Sequence, residues 1–206
     1  MRIIQALSAY IGIPPATIEE IVKKAPFLYR RYPVPKKRGG QRNIYHPARE
    51  TKTLQIAAID LLDSCDLVHD CVRGYIRGLK NPLLGNANEH RKQTFLLRLD
   101  VADFFPSIKP EDFAFVCGKR IRLNGKILSQ QELKFLFALF FVYNRAIGWF
   151  LGIGAPSSPF VSNWVMFNID EAIMRLCKEM KVSYTRYADD LYFSSNSKKQ
   201  LLSIET

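Results

Sequence analysis

Acidic residues are scarce in this sequence: nineteen Asp and Glu stand against thirty Lys and Arg, leaving a net charge of +11 on 206 residues. Such a surplus attracts polyanions, and Lys and Arg contacts to phosphate are the usual source of sequence-independent nucleic-acid binding. An anionic membrane surface, or a merely basic exterior, fits the same number. The four cysteines, Cys65, Cys71, Cys117 and Cys177, form no C-x-x-C pair and no metal-ligand spacing with the three histidines. They read as small buried residues of a reducing compartment, which argues against a disulfide scaffold or a zinc site. Long apolar runs are missing too. The longest, residues 135–143, has nine residues, too few to span a bilayer. The first nine residues lack the apolar stretch and small-residue cleavage site of a signal peptide, so a cytoplasmic location without membrane attachment is expected. Internal repeats, low-complexity tracts, Walker or dinucleotide glycine loops and a serine or cysteine triad are likewise missing. What is present, 48% hydrophobic and 24% charged residues, is the composition of a globular chain long enough for one good-sized domain or two small ones.

The periodicity predicts helix up to about Lys24, where Ile18, Ile21 and Val22 recur at helical spacing after a Pro-Pro-Ala-Thr start. Residues 29–47 read as two extended pieces joined by the basic turn Lys36-Lys37-Arg38-Gly39-Gly40-Gln41-Arg42, a hairpin pattern. Leu54, Ala57, Ala58, Leu61 and Leu62 then form a helical stripe. Residues 74–90, rich in Gly and Asn, predict an irregular loop. Residues 95–100 alternate into a strand that ends on a carboxylate. Residues 132–143 are apolar enough to predict an element buried on most sides, and 148–158 a glycine-and-proline loop. A helix is expected over 159–180, with Val165, Ile169, Ala172, Ile173, Leu176 and Met180 on its inner face. Two short strands, 184–186 and 191–195, flank Tyr187-Ala188-Asp189-Asp190. The mixture predicts an α+β fold with an antiparallel sheet.

Adjacent carboxylates at the tip of a hairpin repel each other. Turns favour Asp, so an ordinary Asp-rich turn accounts for Asp189 and Asp190 as well as a metal site does. A divalent cation removes the repulsion, and carboxylate oxygens suit Mg²⁺. Asp100 closes the preceding strand of this kind; alone it reads equally as a strand-end cap. Facing the Asp pair, it completes a set able to hold two Mg²⁺ about 3.5–4 Å apart for in-line phosphoryl transfer.

These residues resemble the palm motifs of reverse transcriptases. Asp100-Val-Ala-Asp-Phe-Phe105 is similar to the first, Gly154-Ala-Pro-Ser-Ser-Pro-Phe-Val-Ser-Asn163 to the second and Tyr187-Ala-Asp-Asp190 to the third, in that order. The basic hairpin and Leu54-Gln55 resemble the fingers. Asn86-Ala-Asn-Glu-His90, with Gly74-Tyr-Ile-Arg-Gly78 before it, resembles the element that marks the retron group. The resemblance implies fingers over 1–95, a palm over 96–206, two Mg²⁺ ions, and an RNA-directed DNA polymerase. Asp100 and Asp189 would be the main metal ligands and Asp190 a weaker or orienting carboxylate. Lys36 or Lys37, with Arg42, would clamp the incoming triphosphate. Phe105 would exclude a ribonucleotide 2′-OH; a core phenylalanine is the alternative, since alternation sends it and Phe104 to opposite faces. Gly154 would admit the nucleotide to close backbone approach, and Tyr187 would pack on the primer end. Asn86 and His90 fit either a hydrogen-bonded structural loop or contact with RNA.

The implied partners are a structured noncoding RNA that is both template and 2′-OH primer, the nascent DNA, dNTPs and an effector protein in phage defence. Group II intron, diversity-generating and abortive-infection enzymes share the same polymerase motifs, and a non-catalytic RNA-binding remnant would share the basic surface. The sequence departs from the pattern at Leu151-Gly152-Ile153-Gly154, where the family has proline and often a polar residue; a looser loop with altered fidelity or reduced activity is expected. It also ends at Thr206, before the family's lysine strand, primer-gripping hairpin and thumb. The 206-residue chain alone is therefore expected to extend a primer poorly or not at all. Primer extension on a long RNA template measures this, and robust synthesis of long products by the purified chain would contradict it.

Overall fold

The computed structural model describes residues 1–36, 39–62 and 67–204. Lys37 and Arg38 of the basic turn, and Cys65, lie outside the described residues. In chain order the elements are α1 (Arg2–Ile11), α2 (Pro15–Lys24), a 3-10 turn (Ala25–Phe27), β1 (Tyr29–Pro35), β2 (Gln41–Pro47), α3 (Arg49–Leu61), α4 (Pro82–His90), β3 (Phe95–Asp100), α5 (Phe104–Ser107) and α6 (Pro110–Cys117). They continue with β4 (Arg122–Leu123), β5 (Lys126–Ile127), α7 (Gln130–Phe140), β6 (Phe141–Asn144), β7 (Gly148–Leu151), α8 (Ser158–Glu179), β8 (Ser183–Tyr187), β9 (Asp190–Ser195) and α9 (Lys198–Leu202). The named strands pair antiparallel throughout, as the α+β expectation requires. The chain folds as two compact units: Met1–Cys65 with Phe105–Val165, and Asp66–Phe104 with Met166–Thr206.

In the first unit the expected N-terminal helix is two helices. Gly12 adopts φ 72 and its N–H caps Ser8, ending α1, and Pro15 opens α2. Ile3, Ile4 and Leu7 of α1 and Leu54, Ala57 and Ala58 of α3 are buried. Gln55 is buried beside them, its amide nitrogen donating to the Leu139 carbonyl and the Tyr29 hydroxyl, both at 2.8 Å. Ser129 and Glu132 form a capping box at the start of α7, and the Arg2 guanidinium donates to both Glu132 oxygens at 3.1 and 2.7 Å. Burial alone would raise the Glu132 carboxyl; the Arg2 and Ser129 hydrogen bonds outweigh it and hold the group at about 2.

The apolar run at 132–143 is largely buried, as expected, but it spans two elements, α7 followed directly by strand β6. One expectation in this unit needs correcting. Residues 148–151 are not loop but strand β7, paired to β6 through Phe141↔Leu151 and Val142↔Phe150. Apolar residues without alternation do not reveal where a helix becomes a strand; cross-strand pairing does. Rings fill the space between them: Phe113 with Phe140 and Phe141, Phe137 with Trp149, and Phe140 with Trp164.

The second unit is built on a three-stranded sheet of order β3-β9-β8. One face carries Leu97, Leu99, Leu191, Phe193 and Tyr184, packed with Cys71, Val72, Ile173, Cys177, Val182 and Leu201. Residues 82–90, expected as loop, are helix α4, with Pro82 at its first turn. The α8 stripe is also rotated from its expected position. Ile169 and Leu176 are about half exposed, whereas Asp170 has no exposed surface. The reason is Arg186, which is equally buried: its Nε and Nη2 donate to Asp170 at 2.8 and 2.6 Å, and the Tyr184 hydroxyl donates to Asp170 Oδ1 at 2.9 Å. Burying this pair takes precedence over burying two more aliphatic side chains, because an unpaired interior charge is far costlier than an exposed leucine.

Asp170→Asn leaves the Arg186 charge without its counter-ion, and a loss of about 3–5 kcal/mol of stability is expected. The double variant Asp170→Leu/Arg186→Met should recover much of it, since neither charge then remains. Urea unfolding midpoints of the three proteins measure the difference; a fully stable Asp170→Asn protein would contradict the assignment.

Candidate active site on the three-stranded sheet

The register of β3 and β9 pairs Asp100 with Asp190, Arg98 with Tyr192 and Leu96 with Ser194. Directly paired residues of antiparallel strands share a face, so these side chains line the face opposite the apolar core. Tyr187 pairs with Asp190 on the other side, which leaves Ala188 and Asp189 as a two-residue turn. The Asp189 carbonyl accepts from Val101 N–H at 3.0 Å, tying the turn to the end of β3. Strand pairing therefore brings Asp100 and Asp190 together, with Asp189 next to them in the turn. Like charges so placed destabilise a sheet. Arg98 answers one of them, its Nε and Nη2 donating to Asp190 Oδ1 and Oδ2 at 2.9 and 2.8 Å.

The turn is held from beneath. Ala188 has φ 59, a conformation in which an L residue is strained. Its carbonyl accepts from Arg186 Nη1 at 3.1 Å, so the guanidinium that pairs with Asp170 also supports the turn. A short segment runs alongside: Arg186 N–H donates to the Cys71 carbonyl, and Arg73 N–H to the Arg186 carbonyl at 2.7 Å. Gly74 follows, and a Cβ there would stand 2.8 Å from the Ala188 nitrogen. That close approach explains a glycine at the head of Gly74-Tyr-Ile-Arg-Gly78.

Asn86 and His90 lie one turn apart on α4, both buried, and both reach the polar face of the sheet. His90 Nδ1 is 2.7 Å from Ser194 Oγ and Nε2 2.7 Å from Thr185 Oγ1, whose hydroxyl donates to Asn86 Oδ1. Because Thr185 spends its proton on Asn86, Nε2–H of a neutral imidazole donates to Thr185, and Nδ1 accepts from Ser194. The spacing of Asn86 and His90 thus docks α4 onto β8 and β9. Burial, reinforced by Arg73 and opposed by Glu89, pushes the His90 imidazole below its ordinary value.

Lys36, Arg42, Phe105 and Gly154 belong to the first unit, whereas Phe104, Cys71 and Cys177 belong to the second. Lys36 and Arg42 are exposed on the β1–β2 hairpin, with Arg42 opposite Val34. Gly154 has φ 106, and a Cβ on it would stand 2.7 Å from Ile44 Cγ2; the close approach seen here is to strand β2, where Tyr45 N–H also donates to the Ile153 carbonyl at 2.7 Å. Phe105 is half-buried and Phe104 buried, on the short helix α5 and not on a strand. Cys71, Cys117 and Cys177 are free and buried. Residues that sequence reasoning did not single out are Arg98, Asp170, Thr185, Arg186 and Ser194. A charged residue one position before the Tyr187–Asp190 motif, in a short strand otherwise made of uncharged residues, was the signal for Arg186.

Among the described residues no three acidic, histidine or cysteine side chains converge as a metal cluster. The donors that strand pairing assembles are nevertheless carboxylate oxygens, the hard ligands Mg²⁺ prefers, so the donor chemistry fits that ion.

The family described as reverse transcriptase (RNA-dependent DNA polymerase) matches residues 34–205, and the chain belongs to it. Its curated relatives are of the retron type, which bears out the resemblance carried by Asn86 to His90. It is 39% identical to the Retron Ec83 reverse transcriptase of Escherichia coli over 84% of this chain and 54% of that protein. It is 30% identical to the Retron Ec86 enzyme of the same species over 98% and 60%. The chain spans about half the length of the curated relatives it matches. An apo telomerase structure from Candida tropicalis, truncated from the C-terminal domain, shares the fold at a TM-score of 0.50 and 12% identity, covering 98% of this chain and 50% of that one. Among the described residues no helix is long and apolar enough to cross a membrane.

Because the folded His90 binds its proton less readily than the unfolded one, the unfolded chain gains protons first as pH falls below about 6.5. The contribution is intact above that pH and is lost progressively below it, down to the lowered folded value. Thermal midpoints between pH 7 and 5 should fall more steeply for the native protein than for His90→Gln; parallel curves would contradict the assignment.

Proposed function

We propose that the chain is the fingers (1–95) and palm (96–206) of a cytoplasmic, retron-type RNA-directed DNA polymerase. The observation that carries this is the register pairing of Asp100 with Asp190 beside the Asp189 turn, on a face of the sheet kept polar. The proposed reaction is attack of a primer hydroxyl, an RNA 2′-OH at initiation, on the α-phosphate of a dNTP. Two Mg²⁺ ions, when bound, would lower the pKa of the attacking hydroxyl and neutralise the leaving pyrophosphate. Asp100 and Asp189 are the residues that would hold them, with Asp190 the orienting carboxylate.

Other residues of the chain are proposed to contribute as well. Lys36 and Arg42 project from the fingers hairpin as cations suited to a triphosphate. Phe105 would discriminate the sugar, Gly154 would keep its loop tight against the fingers strand, and Tyr187 would support the primer end. Asn86 and His90 shape the palm by docking α4. The partners proposed are a structured noncoding RNA as template and primer, the nascent DNA and dNTPs, with an effector protein in phage defence. The net charge of +11 and the retron names of the relatives support that reading.

Addition of a single dNTP to a primed RNA template needs no processive grip and is the direct test. Slow, Mg²⁺-dependent addition is expected, reduced about 10³-fold or more in Asp100→Asn and Asp189→Asn, the scale of losing a catalytic charge centre. RNA binding without any such addition would favour the non-catalytic remnant instead.

A further inference from the structure

Asp190 is not presented openly to a cation. Arg98, two residues before Asp100 on β3, faces it diagonally across the strand pair and takes both of its oxygens, Nε to Oδ1 at 2.9 Å and Nη2 to Oδ2 at 2.8 Å. The Tyr192 hydroxyl adds a longer contact to Oδ2 at 3.4 Å, and the guanidinium carbon lies 5.9 Å from the centre of the Tyr192 ring. The Arg98 side chain is 55% exposed and the Asp190 side chain 16%, so the arginine lies over the carboxylate on the solvent side. A side-on guanidinium fork satisfies a carboxylate in the geometry that binds it most strongly. A divalent cation that uses the same oxygens competes with those N–H donors for lone pairs and meets the positive charge of the guanidinium.

We propose that Arg98 is a positioning residue that acts through Asp190: it competes with the divalent cation for that carboxylate and holds it aside from Asp100 and Asp189. This rests on the proposed assignment of the three aspartates as metal ligands. The competition gives a physical reason for the unequal roles that the resemblance assigns to the two adjacent carboxylates. Asp190 joins fully only when Arg98 is drawn away, as a polyphosphate arriving at the site would do.

Mn²⁺ titrations of the 206-residue chain, followed by electron paramagnetic resonance, test this without requiring turnover. Arg98→Gln is expected to tighten Mn²⁺ binding by about fivefold, the upper end for an exposed ion pair, and Arg98→Lys by less. In an Asp190→Asn background the same Arg98→Gln change should have no effect, because the pair is already broken. Equal tightening in both backgrounds would reduce Arg98 to a distant positive charge and overturn the proposal, as would no tightening at all. Asp100→Asn separates the two readings. Mn²⁺ binding that depends on Asp100 but ignores Arg98 overturns only the role given to Arg98. Mn²⁺ binding indifferent to Asp100, Asp189 and Arg98 alike overturns both.

Discussion

The ion pair of Asp170 and Arg186 is the constraint on which the second unit depends. Neither side chain has exposed surface, so each charge is tolerable only in the presence of the other. Meeting that requirement turns α8 so that Asp170, not Ile169, faces β8. It also fixes Arg186 where its Nη1 reaches the Ala188 carbonyl. A turn with a strained alanine at its first position is thereby held by a buried charge, and Gly74 leaves room for the backbone beside it. The position of Asp189 thus follows from an interaction that begins in the middle of a helix nearly twenty residues earlier in the chain.

The sheet above that pair has two chemically opposite faces. Alternation sends Leu97, Leu99, Leu191 and Phe193 into the core and Arg98, Asp100, Asp190 and Tyr192 outward. Hydrophobic burial on one face anchors the strands firmly enough to hold like charges opposite each other on the other, an arrangement that local propensity would oppose. Arg98 is the counter-ion the protein itself supplies. Thr185 and Ser194 continue the same polar face and are closed over by Asn86 and His90, so a short helix completes what would otherwise be an open row of hydroxyls.

Much of this was legible beforehand where the signal is local. Strands β3, β8 and β9 show in their alternation, and the helix over Ser158–Glu179 shows in its length and period. The aspartates show in their order along the chain. The failures share one cause. Residues 82–90 look like loop because Gly85 and two asparagines are poor helix formers, yet Asn86 and His90 find partners on β8 and β9 that only the folded sheet supplies. Residues 141–144 and 148–151 pair with each other through Phe141↔Leu151 and Val142↔Phe150, which no window within either segment contains.

Residue order alone therefore sufficed to recognise the family, the α+β class and the carboxylates at the ends of two strands, because motif spacing and hydrophobic period are properties of neighbours along the chain. Folding alone decided which oxygen of which aspartate is engaged, which face of α8 is buried and why a glycine stands at position 74. Those depend on distances between residues far apart in sequence, such as the 2.9 Å from Arg98 to Asp190 and the 2.6 Å from Arg186 to Asp170. Such distances exist only once the apolar core has set the strands in register.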